Sequence, residues 1–197
     1  MNDTKPAFSL DRLRAGDREE FARLVETYSD QIYRLALKML ASPQDAEDVL
    51  QNTFLKALQA LPTFEGRSSL STWLYRIAVN EALMVLRRQR PEVQIADDDD
   101  SAGDDITPAY FIDWCCLPEE ELLSAESRAY LDQAIQQLPE KYRIVFILRD
   151  IEGLSIRETS EALNLSETAV KTRLLRARLK LRDLLSAYYG ERLEEKA

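Results

Sequence analysis

The sequence predicts an all-α fold: two helical domains joined by an acidic flexible linker, the second of them a helix-turn-helix domain. Three observations carry that reading. Apolar residues recur at helical spacing in both halves of the chain. No alternation of period two runs long enough for a sheet. The whole surplus of negative charge lies in one central stretch, which divides the chain at 1–92, 93–123 and 124–197.

The first predicted helix carries Phe21, Leu24, Val25, Tyr28, Ile32, Leu35, Ala36 and Met39 on one side. Pro43 opens a second, with Asp45, Glu47 and Asp48 near the positive end of its dipole. Its apolar stripe is Ala46, Val49, Leu50, Phe54, Ala57 and Leu58. Pro62 and Gly66 break the pattern, so 61–69 reads as a loop. Leu70, Trp73, Leu74, Ile77 and Ala78 open a third helix that runs into Arg87, Arg88, Gln89, Arg90 and Pro91. Such helices bury their stripes by packing on one another.

Charge partition explains the middle of the chain. Residues 1–92 hold thirteen basic and thirteen acidic side chains, 93–123 hold ten acidic and no basic ones, and 124–197 hold thirteen basic and twelve acidic. A run containing Asp97, Asp98, Asp99, Asp100, Asp104 and Asp105 repels itself and buries too little to fold alone. It reads as a tether, with Tyr110, Phe111, Ile112 and Trp114 as a short apolar cluster inside it. Its contour is roughly 100 Å at about 3.3 Å per residue.

Beyond the tether, a helix is expected from about Ala125 to Gln137, a break at Leu138–Pro139, and another helix over Lys141–Ile151 with Gly153 as its C-terminal cap. A short helix over Ser155–Leu163 and a turn at Asn164–Leu165 precede a long helix. Ser166 is the N-cap of that helix, and Val170, Leu174, Ala177, Leu181 and Leu184 form its buried stripe. Short helix, tight turn and long helix form the helix-turn-helix pattern. Between Ser166 and Arg182 the long helix carries six basic residues, Lys171, Arg173, Arg176, Arg178, Lys180 and Arg182, against Glu167 alone. Lys171, Thr172, Arg173 and Arg176 lie in the part of a second helix that enters a major groove, with donors suited to phosphates and guanine edges.

Composition closes off other classes. Among 197 residues there is no histidine, which removes the Ser-His-Asp triad, the Cys-His dyad and most zinc sites. Five glycines leave no phosphate-cradling loop of either common spacing. Cys115 and Cys116 are adjacent and make neither a disulfide framework nor a good metal site. No apolar run approaches the roughly 20 residues of a membrane span, and no secretory pattern opens the chain. The expectation is a cytoplasmic protein with no cofactor, no metal and no small-molecule substrate, which catalyses nothing.

The chain resembles the bacterial extracytoplasmic-function sigma factors of RNA polymerase along nearly its whole length. Asp45-Ala46-Glu47-Asp48-Val49-Leu50-Gln51-Asn52-Thr53-Phe54 is similar to the segment that docks on core polymerase in that family. Phe64-Glu65-Gly66-Arg67-Ser68-Ser69-Leu70 and the following residues through Asn80 are similar to its −10 recognition and melting segment. Leu154-Ser155-Ile156-Arg157-Glu158-Thr159 through Ala177-Arg178 is similar to its −35 recognition helix-turn-helix. The three motifs occur in the family's order. Met84, Thr168 and Ala169 depart from the family pattern and leave the promoter sequence open.

The resemblance implies a core-polymerase-binding set of Asp45, Glu47, Asp48, Gln51, Asn52 and Phe54. On chemistry alone those acids also serve the helix dipole, and Phe54 is either a core residue or an anchor. For the −10 element it implies Phe64, Arg67, Ser68, Ser69, Arg76, Asn80, Arg87 and Arg88. An unstacked base is captured by stacking and edge hydrogen bonds, which this loop supplies, although aromatics such as Phe64 and Trp73 more often serve a core, and Trp73 is expected to be mainly structural. For the −35 element it implies Ser166, Thr168, Lys171, Thr172, Arg173, Arg176 and Arg178. Implied partners are core RNA polymerase, promoter DNA and an anti-sigma factor, often membrane-bound. The acidic tether would then lie in the polymerase cleft as a mimic of nucleic-acid backbone, or serve only as a solubilising link. The rival class is a stand-alone helix-turn-helix regulator that binds operators without polymerase.

Overall fold

The computed structural model describes residues 8–89 and 125–195, and within them every regular element is helical. The acidic tether, its apolar cluster, Arg90, Pro91, Cys115 and Cys116 lie outside the described residues.

The N-terminal helices are α1 (Leu10–Arg14), α2 (Arg18–Leu40), α3 (Pro43–Ala60), a 3-10 turn at Leu61–Thr63, and α4 (Leu70–Gln89). Each start is encoded locally. Ser9 caps α1, and Asp17 caps α2 by accepting from the amides of Glu19 and Glu20 at 3.0 and 3.1 Å. Ser42 caps α3 with Pro43 in its first turn, and Ser69 caps α4 by accepting from the Thr72 amide at 3.1 Å. Between α2 and α3 the chain turns through Ala41 at φ 55°, a left-handed position held by a hydrogen bond from its amide to the Leu37 carbonyl at 2.8 Å. The buried sides of α2, α3 and α4 meet in one core. Leu24, Ile32 and Leu35 of α2 lie against Ala46, Val49 and Ala57 of α3 and Leu74, Ala78 and Ala82 of α4.

The C-terminal helices are α5 (Ala125–Gln137), α6 (Glu140–Phe146), α7 (Ile156–Leu163) and α8 (Glu167–Glu195). The α-helix expected over Lys141–Ile151 changes character partway: Ile147–Ile151 is a π-helical turn, closed by the Glu152 amide on the Ile147 carbonyl at 2.9 Å. Gly153 then takes φ +72°, and the Leu154 amide reaches back to the Leu148 carbonyl at 3.0 Å, a Schellman-type stop. Helix α7 opens with a reciprocal capping box between Ser155 and Glu158 and ends at Asn164 in the left-handed conformation. Ser166 caps α8 through the Ala169 amide at 3.1 Å. Val170, Leu174, Ala177 and Leu181 are buried as their spacing requires, while Leu184 is only half-buried.

The two helical groups pack against each other, chiefly through α4 on α7 and α2 on α5 and α6. Lys38 pairs with Asp132 at 2.7 Å, and the Gln136 amide donates to the Lys38 carbonyl at 2.5 Å. The Tyr75 hydroxyl donates to Glu152 at 2.9 Å and lies 3.2 Å from the Gln31 side-chain oxygen. The Thr72 hydroxyl stands 3.4 Å from Glu158. This seam is polar at its rim and joins residues far apart in sequence.

Candidate nucleic-acid and polymerase interface

Helix α3 presents two opposite faces. Ala46, Val49, Thr53, Phe54 and Ala57 are buried, so Phe54 is a core residue, edge-on to Phe21 with ring centres 6.4 Å apart. Its place in the expected polymerase-binding set is corrected on that ground: a side chain inside the core has no surface to offer. Glu47, Asp48, Gln51 and Asn52 are exposed, and half-buried Asp45 accepts from the Gln89 amide at 3.1 Å. Beyond the amides along the helix stand Leu55 and Leu58, 58% and 45% exposed. Leu58 was expected in the buried stripe, but it falls at the edge of the face that α2 and α4 cover. Leu55 lies opposite the core, three and four positions after Asn52 and Gln51. That helical offset is the signal by which the sequence could have revealed it.

The loop before α4 is built around Phe64 and Trp73, whose ring centres are 4.8 Å apart at 41°. Phe64 is buried, so it is a core residue like Phe54, and its place in the expected −10 set is corrected on the same ground. Half-buried Trp73 is the more accessible of the two. Gly66 turns the loop at φ +75°, and beyond it Arg67 is exposed and paired with Glu65. Ser68 is half-buried. The Ser69 hydroxyl is engaged as the α4 cap and with the hydroxyls of Ser71 and Thr72 at 2.9 and 2.7 Å. From there α4 carries a continuous outward stripe: Trp73, Arg76, Ile77, Asn80, Met84, Arg87 and Arg88. Arg76, Asn80, Arg87 and Arg88 are all exposed, a row of three cations and an amide.

Helix α8 presents Ser166, Thr168 and Lys171 to solvent, with Thr172 and Arg176 half-buried. Arg176 also approaches the Tyr142 hydroxyl at 3.5 Å. Arg178 is exposed but held in a two-pronged pair with Asp150 at 2.8 and 2.7 Å, which fixes its guanidinium beside the π turn. Arg173 is 1% exposed. It points into the helical core, where DNA does not reach it, and its place in the −35 set is corrected accordingly. Between Lys171 and Arg178 stands Leu175, 59% exposed, absent from the expected set and unlike any core leucine. Its signal was its position three and four residues after Thr172 and Lys171, on their side of the helix.

At the seam, burial pushes the Glu152 carboxyl above the usual carboxylate range, with the Tyr75 hydrogen bond and the charges of Arg34 and Lys38 pulling the other way. Burial, and then the charge of Glu152, push the Tyr75 phenol upward as well. Both shifts favour the neutral forms at the contact. Among the described residues no helix is long and apolar enough to cross a membrane, and no group of three or more Cys, Asp or Glu is arranged to hold a metal.

Comparison with known proteins places this geometry in a family. The model of sigma-70 region 2 matches residues 24–92, and that of sigma-70 region 4 matches residues 128–181. The ECF RNA polymerase sigma factor SigW of Bacillus subtilis is 36% identical over 178 residues, covering 89% of this chain and 94% of that protein. The RNA polymerase sigma-H factor of Pseudomonas aeruginosa is 35% identical, covering 86% of this chain and 88% of that protein. CnrH, solved in complex with the cytosolic domain of CnrY, has a TM-score of 0.65 at 25% identity over 90% of this chain and 95% of that one. The sigma factor RpoE of Bartonella quintana, solved with the anti-sigma factor NepR, shares the fold at a TM-score of 0.62 and 24% identity, over 85% of this chain and 98% of that one. The region 2 match spans α3, the loop and α4, and the region 4 match spans the helix-turn-helix. The chain therefore belongs to the extracytoplasmic-function branch of the sigma-70 family, as an alternative sigma factor that directs transcription.

Proposed function

We propose that this sigma factor divides its work among three surfaces. The exposed face of α3, with Glu47, Asp48, Gln51 and Asn52 around Leu55 and Leu58, docks on core RNA polymerase. Its acids and amides meet a charged partner while the two leucines supply apolar area to bury. The loop and outward stripe of α4 hold the opened −10 strand: Arg76, Arg87 and Arg88 meet phosphates, Asn80 and Arg67 reach base edges, and Trp73 offers a stacking edge. The N-terminal part of α8 reads the −35 duplex through Thr168, Lys171, Thr172 and Arg176, with Ser166 and Arg178 on the backbone.

The observation that carries this division is the uninterrupted stripe on α4. Three cations and an amide stay outward over four turns, while the opposite sides of the same helix are buried in the core and on α7. A helix kept only for packing needs no such row. The protein works in the cytoplasm, catalyses no reaction itself, and is held in check by a protein partner of the anti-sigma class. CnrH, similar across nine-tenths of this chain, was solved bound to the cytosolic domain of another protein.

Multi-round transcription with core polymerase, with and without this protein, tests the reading. Promoter-specific transcripts should require both components, and footprints over both elements should require core polymerase. A footprint by the isolated protein, with no effect on core polymerase, would establish the operator-binding regulator instead.

A further inference from the structure

The short helix α1 precedes both family matches and contributes one buried apolar side chain, Leu13. Its position is nevertheless tightly specified. The carboxylate of Glu20, 2% exposed, accepts from the Ser9 amide at 2.8 Å and from Arg23 at 2.8 Å, tying the start of α1 to α2. Arg12 pairs with Asp17, the α2 cap, at 2.7 Å. From the far end of α1, Arg14 crosses to the loop, and its Nε and Nη2 donate to the Phe64 carbonyl at 2.9 and 2.6 Å. Leu10 completes the contact, with its Cδ1 3.6 Å from where a Cβ on Gly66 would stand.

We infer that Arg14 is a positioning residue for the −10 loop, setting the height of the Phe64–Gly66 turn over α4 and hence the surface that the loop and Trp73 present. This rests on the reading of that loop given above. The Phe64 carbonyl sits in a loop with little regular backbone bonding, its own amide returning only to Leu61 at 3.1 Å. A guanidinium offering two donors fixes a carbonyl in direction as well as distance, which a single ammonium does not. Phe64 is thereby held against Trp73, and the residues after it (Gly66, Arg67 and Ser68) leave the turn at a set angle.

The test uses holoenzyme assembled from core polymerase and the full chain, and a promoter selected by that holoenzyme from random-sequence DNA. The probe is a fluorescent single strand carrying the −10 element, compared with a scrambled strand. Arg14→Met keeps the aliphatic stem and removes the donors, and Arg14→Lys restores one. R14M should bind the −10 strand about tenfold more weakly and lose most of its preference over the scrambled strand, a factor of ten being about 1.4 kcal/mol. R14K should fall between R14M and wild type. Core binding, −35 duplex binding and the melting temperature should stay at wild-type values.

Wild-type strand affinity and preference in R14M would overturn the inference. So would an equal loss in core binding, −35 binding and melting temperature, since that marks a role in folding alone. A wild-type holoenzyme that does not prefer the −10 strand would overturn the reading of the loop itself, and it shows in the unsubstituted protein.

Discussion

Replacing Leu55 and Leu58 together by alanine should weaken core-polymerase binding while leaving the protein folded. Full burial of a leucine side chain contributes about 1.5–3 kcal/mol. Leu55 keeps 58% of its surface and Leu58 45%, so about half of that contribution remains to be realised at each on docking. Alanine retains the Cβ, and the pair should therefore lose about 1.5 kcal/mol, or roughly a tenfold rise in Kd. Stability should fall by no more than about 1.5 kcal/mol, the part of that contribution already made within the fold. Fluorescence anisotropy of labelled protein titrated with core polymerase reads the affinity, and thermal melting reads the fold. Phe54→Ala is the contrast: Phe54 is 8% exposed against Phe21, and its loss should cost about 3–5 kcal/mol of stability. Unchanged affinity in the double leucine variant, which the melting shows folded, would refute the assignment of this face.

Other surfaces yield further expectations. Lys171→Ala should weaken −35 duplex binding by about 1–3 kcal/mol and relax the preference at the base it reads, measured by competition with single-base variants of the element. Arg173→Ala should instead destabilise the C-terminal helices by about 2–4 kcal/mol in a denaturant melt, because that side chain is 1% exposed. The seam should respond to pH in one direction. Packing raises both Glu152 and Tyr75, so it is favoured while both are protonated. It should loosen as pH rises from the ordinary carboxylate range through the raised value of Glu152, and again as pH climbs from the ordinary tyrosine range towards the raised value of Tyr75. Glu152→Gln, which keeps an acceptor for Tyr75 without a charge, should flatten the carboxylate part of that profile, measured by energy transfer between dyes on α2 and α5.

A great deal was legible locally. Pro43, Gly153 and Ser166 each act within one helical turn of themselves, and the first turn, the stop and the cap they predict are present at those residues. The stripe of Val170, Leu174, Ala177 and Leu181 is buried because α8 is long enough for its periodicity to have one consistent answer. The cations on α4 and α8 could be counted directly, as could the partition of charge that turns a net −9 into two near-neutral domains and an acidic tether.

Periodicity gives each residue an angle around its own helix, but burial depends on which neighbour arrives at that angle. For that reason Leu58 on α3 was expected inside and lies outside, while Arg173 on α8 was expected outside and lies inside. Phe54 suited anchor and core equally by chemistry and Phe64 the core more often, and the packing of Phe21 and Trp73 against them buries both. The contacts that hold the functional loop and the seam join partners 50 and 77 residues apart, from Arg14 to Phe64 and from Tyr75 to Glu152. By itself the sequence determined the helices, their caps, the family and the location of charge, all of which depend on near neighbours or on composition. Tertiary structure alone decided which of those charges and leucines face solvent, because exposure is a property of the surface left once distant helices have closed over the rest.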